Sequence, residues 1–280
     1  MIDTISPLKD NIISNKPLKV SCLGTDSQLK QPTAEEYNVL ASLYKSRNLN
    51  KKVIDCYTKA LQFRKLTLGV LDKKTAISYN NLADAYAKDG SRVQALKFYI
   101  KALNIREELF GLNHPQTASI YSNMANIYFE DSSLEKALSL YKKALAIRVE
   151  HLGEEHIHTA TSYQELAYFY AKAEQYELAL PLFEKAVKIR RTLLKMSHPD
   201  TATSYNNLAI CYYHLFQYEK AYNALTIAIE IRSILFDSKD PVLYSAKKNL
   251  KEIKKCIAKN KRQKRISFLS KLIRPKRKRI

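Results

Sequence analysis

The chain has 280 residues, 46% apolar and 26% charged, with a formal net charge of +20. Five glycines leave no Gly-rich loop to cradle a phosphate, and no apolar run approaches the roughly 18 residues a membrane span needs. The four cysteines, Cys22, Cys56, Cys211 and Cys256, show no CxxC pair and no short spacing, so neither a disulfide framework nor a zinc site is indicated and a reducing compartment fits.

The charge is unevenly placed. Residues 243–280 hold 16 Lys and Arg against the single Glu252, whereas residues 33–242 hold 27 basic and 23 acidic residues, so the excess belongs to the tail. Residues 1–32, with Pro7, Pro17 and Pro32 and no sustained period, are expected to be a disordered segment. The opening MIDTISPLKD lacks the basic start and apolar core of a secretory signal, and a soluble, cytoplasmic protein is expected.

From Thr33 the chain repeats itself. Thr33, Thr75, Thr117, Thr159 and Thr201 follow one another at steps of 42 residues, dividing the middle of the chain into copies 33–74, 75–116, 117–158, 159–200 and 201–242. Self-similarity at a fixed period marks an array in which each unit packs only on its neighbours, without one central core. Each copy follows, with variations, the template xYxxLAxxY, a polar break, then AxxxYxxAL. In the second copy Tyr79, Leu82, Ala83 and Tyr86 fall at i, i+3, i+4, i+7, and Ala95, Tyr99, Ala102, Leu103 and Arg106 repeat that spacing, so two helices with one apolar stripe each are predicted, turning at Asp89 and Gly90. Ala83 and Ala95 are small where the two helices cross. The first copy is worn, with Val39 where others carry Asn and Val53 where others carry Ala, as terminal repeats are.

The joints read GLNHPQ, GEEHIH and KMSHPD. Pro115 and Pro199 suit a first helical position, and Gly111 and Gly153 suit a helix end. His151, His156 and His158 beside Glu154 and Glu155 invite a metal-site reading, but His156 is the register partner of His114 and His198; the joint reading is preferred and no metal or cofactor is expected. Pro181 falls near the start of a second helix, where a first turn or a mild kink accommodates it. Residues 240–258 begin like a sixth copy and then depart: Leu243, Ala246, Leu250, Ile253 and Ile257 form one stripe, while Lys254 stands at the signature tyrosine position, which predicts a capping helix with one wet face over residues 243–258.

Two columns on these helices are candidates for binding. Val39, Asn81, Asn123, Glu165, Asn207 and Asn249 share one register position on the first helices. Asparagine is a poor helix former, so the column has another use: gripping an extended peptide backbone, or bonding neighbouring repeats to one another. Arg64, Arg106, Arg148, Arg190 and Arg232 form a second column, either a positive strip or a set of pairs with nearby acids such as Glu108 and Glu150. Phe129, Tyr168 and Tyr213 are placed to pocket an apolar anchor, or to belong to the core.

The pattern resembles the tetratricopeptide repeat, whose unit is usually 34 residues; the eight further residues here lengthen the second helix by about two turns. YNNLA, ALxIRxxLxG and HPxTA look like the kinesin light chain type, over residues 33–258. The resemblance implies an all-α, right-handed α-solenoid of five helix pairs plus a C-terminal capping helix. It also implies a concave groove in which Asn81, Arg106, Asn123, Arg148, Asn207 and Arg232 contact a partner peptide containing acidic residues. Glu165 departs from that pattern and would repel an acidic residue. With no heptad coiled coil ahead of the repeats, the resemblance reaches the cargo-binding domain only.

The tail, residues 259–280, combines an arc of Ile266, Phe268, Leu269, Leu272 and Ile273 with flanking basic runs. Lys264, Arg265, Phe268, Leu272, Lys276, Arg277, Lys278 and Arg279 are its candidate contacts. It reads as a membrane-surface helix, as a nuclear-import or RNA-binding segment, or as a solvated tail, and the first two make peripheral membrane or nuclear placement the alternative to the cytoplasm. The expected function is that of a non-catalytic adaptor binding a protein or peptide partner, with action through the tail on membrane or nucleic acid as the rival. Oligomeric state is not legible.

Overall fold

A computed structural model describes residues 32–194, 197–237 and 240–273, the stretch 267–273 by its backbone alone. The segment expected to be disordered, up to residue 31, and the candidate contacts Lys276, Arg277, Lys278 and Arg279 lie outside the described residues.

The chain from Thr33 onward is a stack of helix pairs whose starts keep the sequence period. The first helices are α1 (Ala34–Ser46), α3 (Lys73–Lys88), α5 (Pro115–Glu130), α7 (Ile157–Lys172) and α9 (Pro199–His214); the second helices are α2 (Asn50–Leu68), α4 (Arg92–Phe110), α6 (Leu134–Leu152), α8 (Tyr176–Leu193) and α10 (Tyr218–Leu235). Each helix packs on its successor, and the chain closes with α11 (Pro241–Ile273) against α10. This is the α-solenoid expected from the repeat.

Local chemistry explains the helix starts. Thr33 and Glu36 form a reciprocal capping box, and Asp72 accepts from the amides of Lys74 and Thr75. At the three later joints a histidine takes this role: Nδ1 of His114, His156 and His198 accepts the amide of Gln116, His158 and Asp200 at 3.2, 3.1 and 3.1 Å. The joint histidines are therefore helix caps. Second helices have no such side chain. Each is entered through one residue in the left-handed region, Asn48, Gly90, Ser132, Glu174 or Phe216, with φ of 55°, 83°, 58°, 58° and 58°. Only Gly90 occupies that conformation without a Cβ penalty.

The core is a set of alanine columns with aromatics beside them. Ala83, Ala125 and Ala167 on first helices, and Ala95, Ala137, Ala179 and Ala221 on second helices, are fully buried. At the crossing, alanine lets two helix axes approach, and Tyr79, Tyr99, Tyr121, Tyr141 and Phe183 fill the space alongside. Thr75, Thr117 and Thr159 are likewise sealed, their hydroxyls donating to the carbonyls of Gly69, His114 and Gly153. Pro181 stands inside α8 rather than in its first turn, and the helix continues to Leu193.

Leu243, Ala246 and Ile253 bury the predicted stripe of α11 against α10, with Leu250 and Ile257 at its edge. The helix does not stop at residue 258. It runs 33 residues to Ile273, so the cap and the tail up to residue 273 are one element.

Phe216 is 74% exposed and holds its left-handed φ with little packing to lose. Phe216→Gly is expected to stabilise the protein by about 1 kcal/mol, read as a rise in denaturant midpoint, whereas Phe216→Ala gives no gain.

Candidate functional site

First helices of neighbouring pairs touch one another, α3 with α5, α5 with α7 and α7 with α9, which makes them the inner row of the stack. Residues on this row have two duties: to bond across repeats, and to face whatever occupies the row.

The arginine column performs the first duty from below. Arg64, Arg106, Arg148 and Arg190 are at most 8% exposed, so the positive strip does not reach the surface. Each reaches from the end of a second helix into the start of the next first helix. Arg64 Nη1 donates to the Lys74 carbonyl at 3.0 Å and to Ser78 Oγ at 2.8 Å. Arg148 repeats this with His158 (3.3 Å) and Ser162 (2.6 Å), and Arg190 with Asp200 (3.5 Å) and Ser204 (2.7 Å). Arg106 keeps the carbonyl of Gln116, but Ile120 stands where the serine would be. Arg232 meets Asp240, the cap of α11, at 2.9 Å. Burial lowers the pKa of Arg106, Arg148 and Arg190, countered by the nearby Asp84, Glu165 and Asp200 carboxylates. The sequence suggested Glu108 or Glu150 as partners; besides Asp240, the acids that approach are Glu35 at 3.2 Å from Arg64 and Glu165 at 3.7 Å from Arg148.

The asparagine column divides. Asn123 Nδ2 donates to Asp84 Oδ1 at 3.1 Å, an inter-repeat bond between α5 and α3. Glu165 takes a similar part, accepting from Ser122 Oγ at 2.7 Å, and Ser204 donates to Gln164 at 2.7 Å. The side chains of Asn81 and Asn207 make no hydrogen bond to other described residues and stay half-buried on the row. Asn81 lines a small cleft of about 110 Å³ with Lys45, Asp84 and Lys88. Asn207 lines one of about 230 Å³ with Tyr168, Lys172, Ile210 and His214. A further cleft, about 300 Å³ between α9 and α11, is bordered by Ile210, Tyr213, Leu225 and Ile253.

The aromatic candidates are also separated. Phe129 is half-buried, its ring 5.6 Å from Phe169 and 6.4 Å from Tyr168, and belongs to the core edge. Tyr168 and Tyr213 are 45% and 36% exposed, and between them lies Ile210 at 42%, a residue the sequence reading passed over. The signal for it was present. Asp84, Asn126, Tyr168 and Ile210 share one register position, facing Tyr99, Tyr141, Phe183 and Leu225 on the paired helix. The Tyr99 and Tyr141 hydroxyls donate to Asp84 and Asn126. Phe183 and Leu225 have no hydroxyl to satisfy, so Tyr168 and Ile210 replace the polar acceptor and leave an apolar surface. At this register position the inner row is polar over α3 and α5, and apolar over α7 and α9.

Two carboxyl groups lie deep in this row. Burial pushes Asp84 above the usual Asp range, opposed by bonds from Tyr99 and Asn123 and the charges of Lys45 and Arg106. Burial raises Glu165 likewise, opposed by Ser122, Arg148 and Arg190. In the tail, Lys264 and Arg265 are exposed on α11, while the side chains of Phe268 and Leu272 lie outside the described residues.

Helix pairs at a fixed period, closed by alanine crossings and joined end to end, define a helical-repeat scaffold. The tetratricopeptide repeat model matches residues 74–150, 116–192 and 158–233, and the chain belongs to that family. No curated protein matches the chain. Among solved structures it is similar to BtubC (BKLC) from P. vanneervenii, with 24% identity and a TM-score of 0.60 over 82% of this chain and 96% of that one. It is also similar to a Podosopora anserina kinesin light chain with nearly identical TPR-like repeats, at 23% identity and TM-score 0.58, over 73% and 97% of the two chains. These neighbours share the kinesin light chain-like fold. No described helix is long and apolar enough to cross a membrane.

Arg148→Ala removes the charge-assisted donor to the buried Ser162 hydroxyl and the His158 carbonyl, and is expected to destabilise the fold by about 2–3 kcal/mol. Arg92→Ala, removing exposed pairs with Glu130 and Asp131, is expected to cost under about 1 kcal/mol in the same urea titration. Glu165 gives a pH signature. A carboxyl whose folded pKa is raised favours folding most below its unfolded value, and that contribution is lost as pH rises from about 4.5 through the folded pKa. The wild-type-minus-Glu165→Gln difference in stability is therefore expected to fall as pH rises from about 4 to about 7, and a flat difference would contradict the burial argument.

Proposed function

We propose that the inner row binds an extended segment of a partner protein and that the chain is a non-catalytic adaptor, acting in the cytoplasm. The observation that carries this reading is the exposed run Tyr168, Ile210 and Tyr213 beside Asn207, a carboxamide with no hydrogen bond to other described residues. Asn81 and Asn207 offer donor and acceptor to a peptide backbone, and the apolar run takes a hydrophobic side chain, the buried-anchor arrangement that dominates binding energy in interfaces.

The attraction for acidic residues is assigned to Lys45, Lys88 and Lys172, which border the clefts. Arg106, Arg148 and Arg232 act as positioning residues underneath, and Asn123 holds α5 to Asp84. Tetratricopeptide solenoids as a class are interaction scaffolds, and the kinesin light chain-like pattern of the repeats supports a cargo-type peptide ligand.

A displayed random-peptide library selected on the full chain is expected to yield sequences pairing a large apolar residue with Asp or Glu. Tyr168→Ala with Ile210→Asp should weaken the selected peptides by about 2 kcal/mol or more at unchanged helicity. Peptides that bind the double variant equally well would remove the groove assignment.

A further inference from the structure

We propose that the projecting end of α11 is a second binding site, separate from the inner row, and that its ligand is an anionic lipid surface. Among the described residues, the helix is held to the solenoid only along its first part. Lys254, Ile257 and Lys261 border Glu219 and Tyr222 at the start of α10, and residues 262–266 beyond them are all exposed. From Arg262 to Ile273 the helix continues for about 18 Å at 1.5 Å per residue.

Register shows that this end is not a longer cap. The stripe Leu243, Ala246, Leu250, Ile253 and Ile257 continues at the same spacing through Lys261, Lys264, Phe268 and Lys271, a row too charged to pack on a further helix. The apolar positions of the end, Ile266, Leu269, Leu272 and Ile273, centre about 130° around the helix from that stripe, at 3.6 residues per turn. Ile266 stands 58% exposed with α10 already left behind.

Charge fixes the kind of surface. Lys259, Lys261, Arg262, Lys264 and Arg265 are exposed and have no acidic partner among the described residues, the pair Glu252–Lys255 lying a turn earlier. Phosphates alone would satisfy these cations. Nucleic acid, however, offers its phosphate backbone no use for an apolar arc beside them, whereas a membrane surface supplies anionic headgroups and an acyl boundary together.

The test is co-sedimentation of the full chain with vesicles of phosphatidylcholine, with and without phosphatidylserine, at low and high salt. Binding is expected only with phosphatidylserine present, and salt should weaken it. Ile266→Asp with Leu269→Asp, all cations retained, should reduce binding at least about tenfold without change in melting, and Ile266→Trp should increase it. Ile210→Asp, which disables the inner row, should leave vesicle binding intact. Absence of binding to the mixed vesicles overturns the proposal. So does undiminished binding by the double Asp variant, and an RNA oligonucleotide bound equally by parent and that variant would assign the helix to nucleic acid instead.

Discussion

A guanidinium group buried between successive helix pairs is what fixes one repeat against the next. Alanine crossings let the helices come close, but a smooth small-residue surface sets distance better than angle. Arg64, Arg148 and Arg190 add direction, each tied to a main-chain carbonyl and a serine hydroxyl of the following first helix. Charge-assisted bonds contribute about 1.5–3 kcal/mol each, and leaving such groups buried and unpaired costs a comparable amount, so a slipped register loses twice. At the end of the array Ala246 offers no hydroxyl, and Asp240 serves both Arg232 and the amide of Leu243.

The chemistry of the inner row follows from what lies behind it. A buried tyrosine hydroxyl needs an acceptor, so Tyr99 and Tyr141 require Asp84 and Asn126 in front of them. Where the second helix carries Phe183 or Leu225 the requirement disappears, and Tyr168 and Ile210 follow. A core substitution thus dictates the polarity of the surface one helix away.

Much of this was legible in one dimension. The period gave the copies, the alanine and aromatic spacings gave the pairs, and the Leu243 stripe gave the cap. Depth was not legible. Register aligns the arginines with one another, but it does not show that the next first helix lies over them, so a buried row reads as a strip. The histidines of the joints were placed correctly by register, while their role as amide acceptors depends on a loop geometry that spacing does not contain. The continuity of α11 was visible in principle, since no Gly or Pro interrupts the chain between Ala258 and Pro275. A change from apolar to basic composition there marks a change of surroundings, not of backbone.

The common reach of Arg64, Arg148 and Arg190 has an evolutionary corollary. Because Arg64, Arg148 and Arg190 find their partners 10 and 14 residues ahead, a recombination that removes a whole copy rejoins arginine and partners in register. Excision of residues 117–158 would set Arg106 before Thr159, with the carbonyl of Gln116 retained and Ser162 in the place of Ile120. The arginine would regain a serine partner, but Glu165 would take the place of Asn123 and set a second carboxyl group against Asp84. Copy number in such a chain can change by crossing-over with the arginine joints kept in register, while the acids of the inner row must find new partners as the row lengthens or shortens.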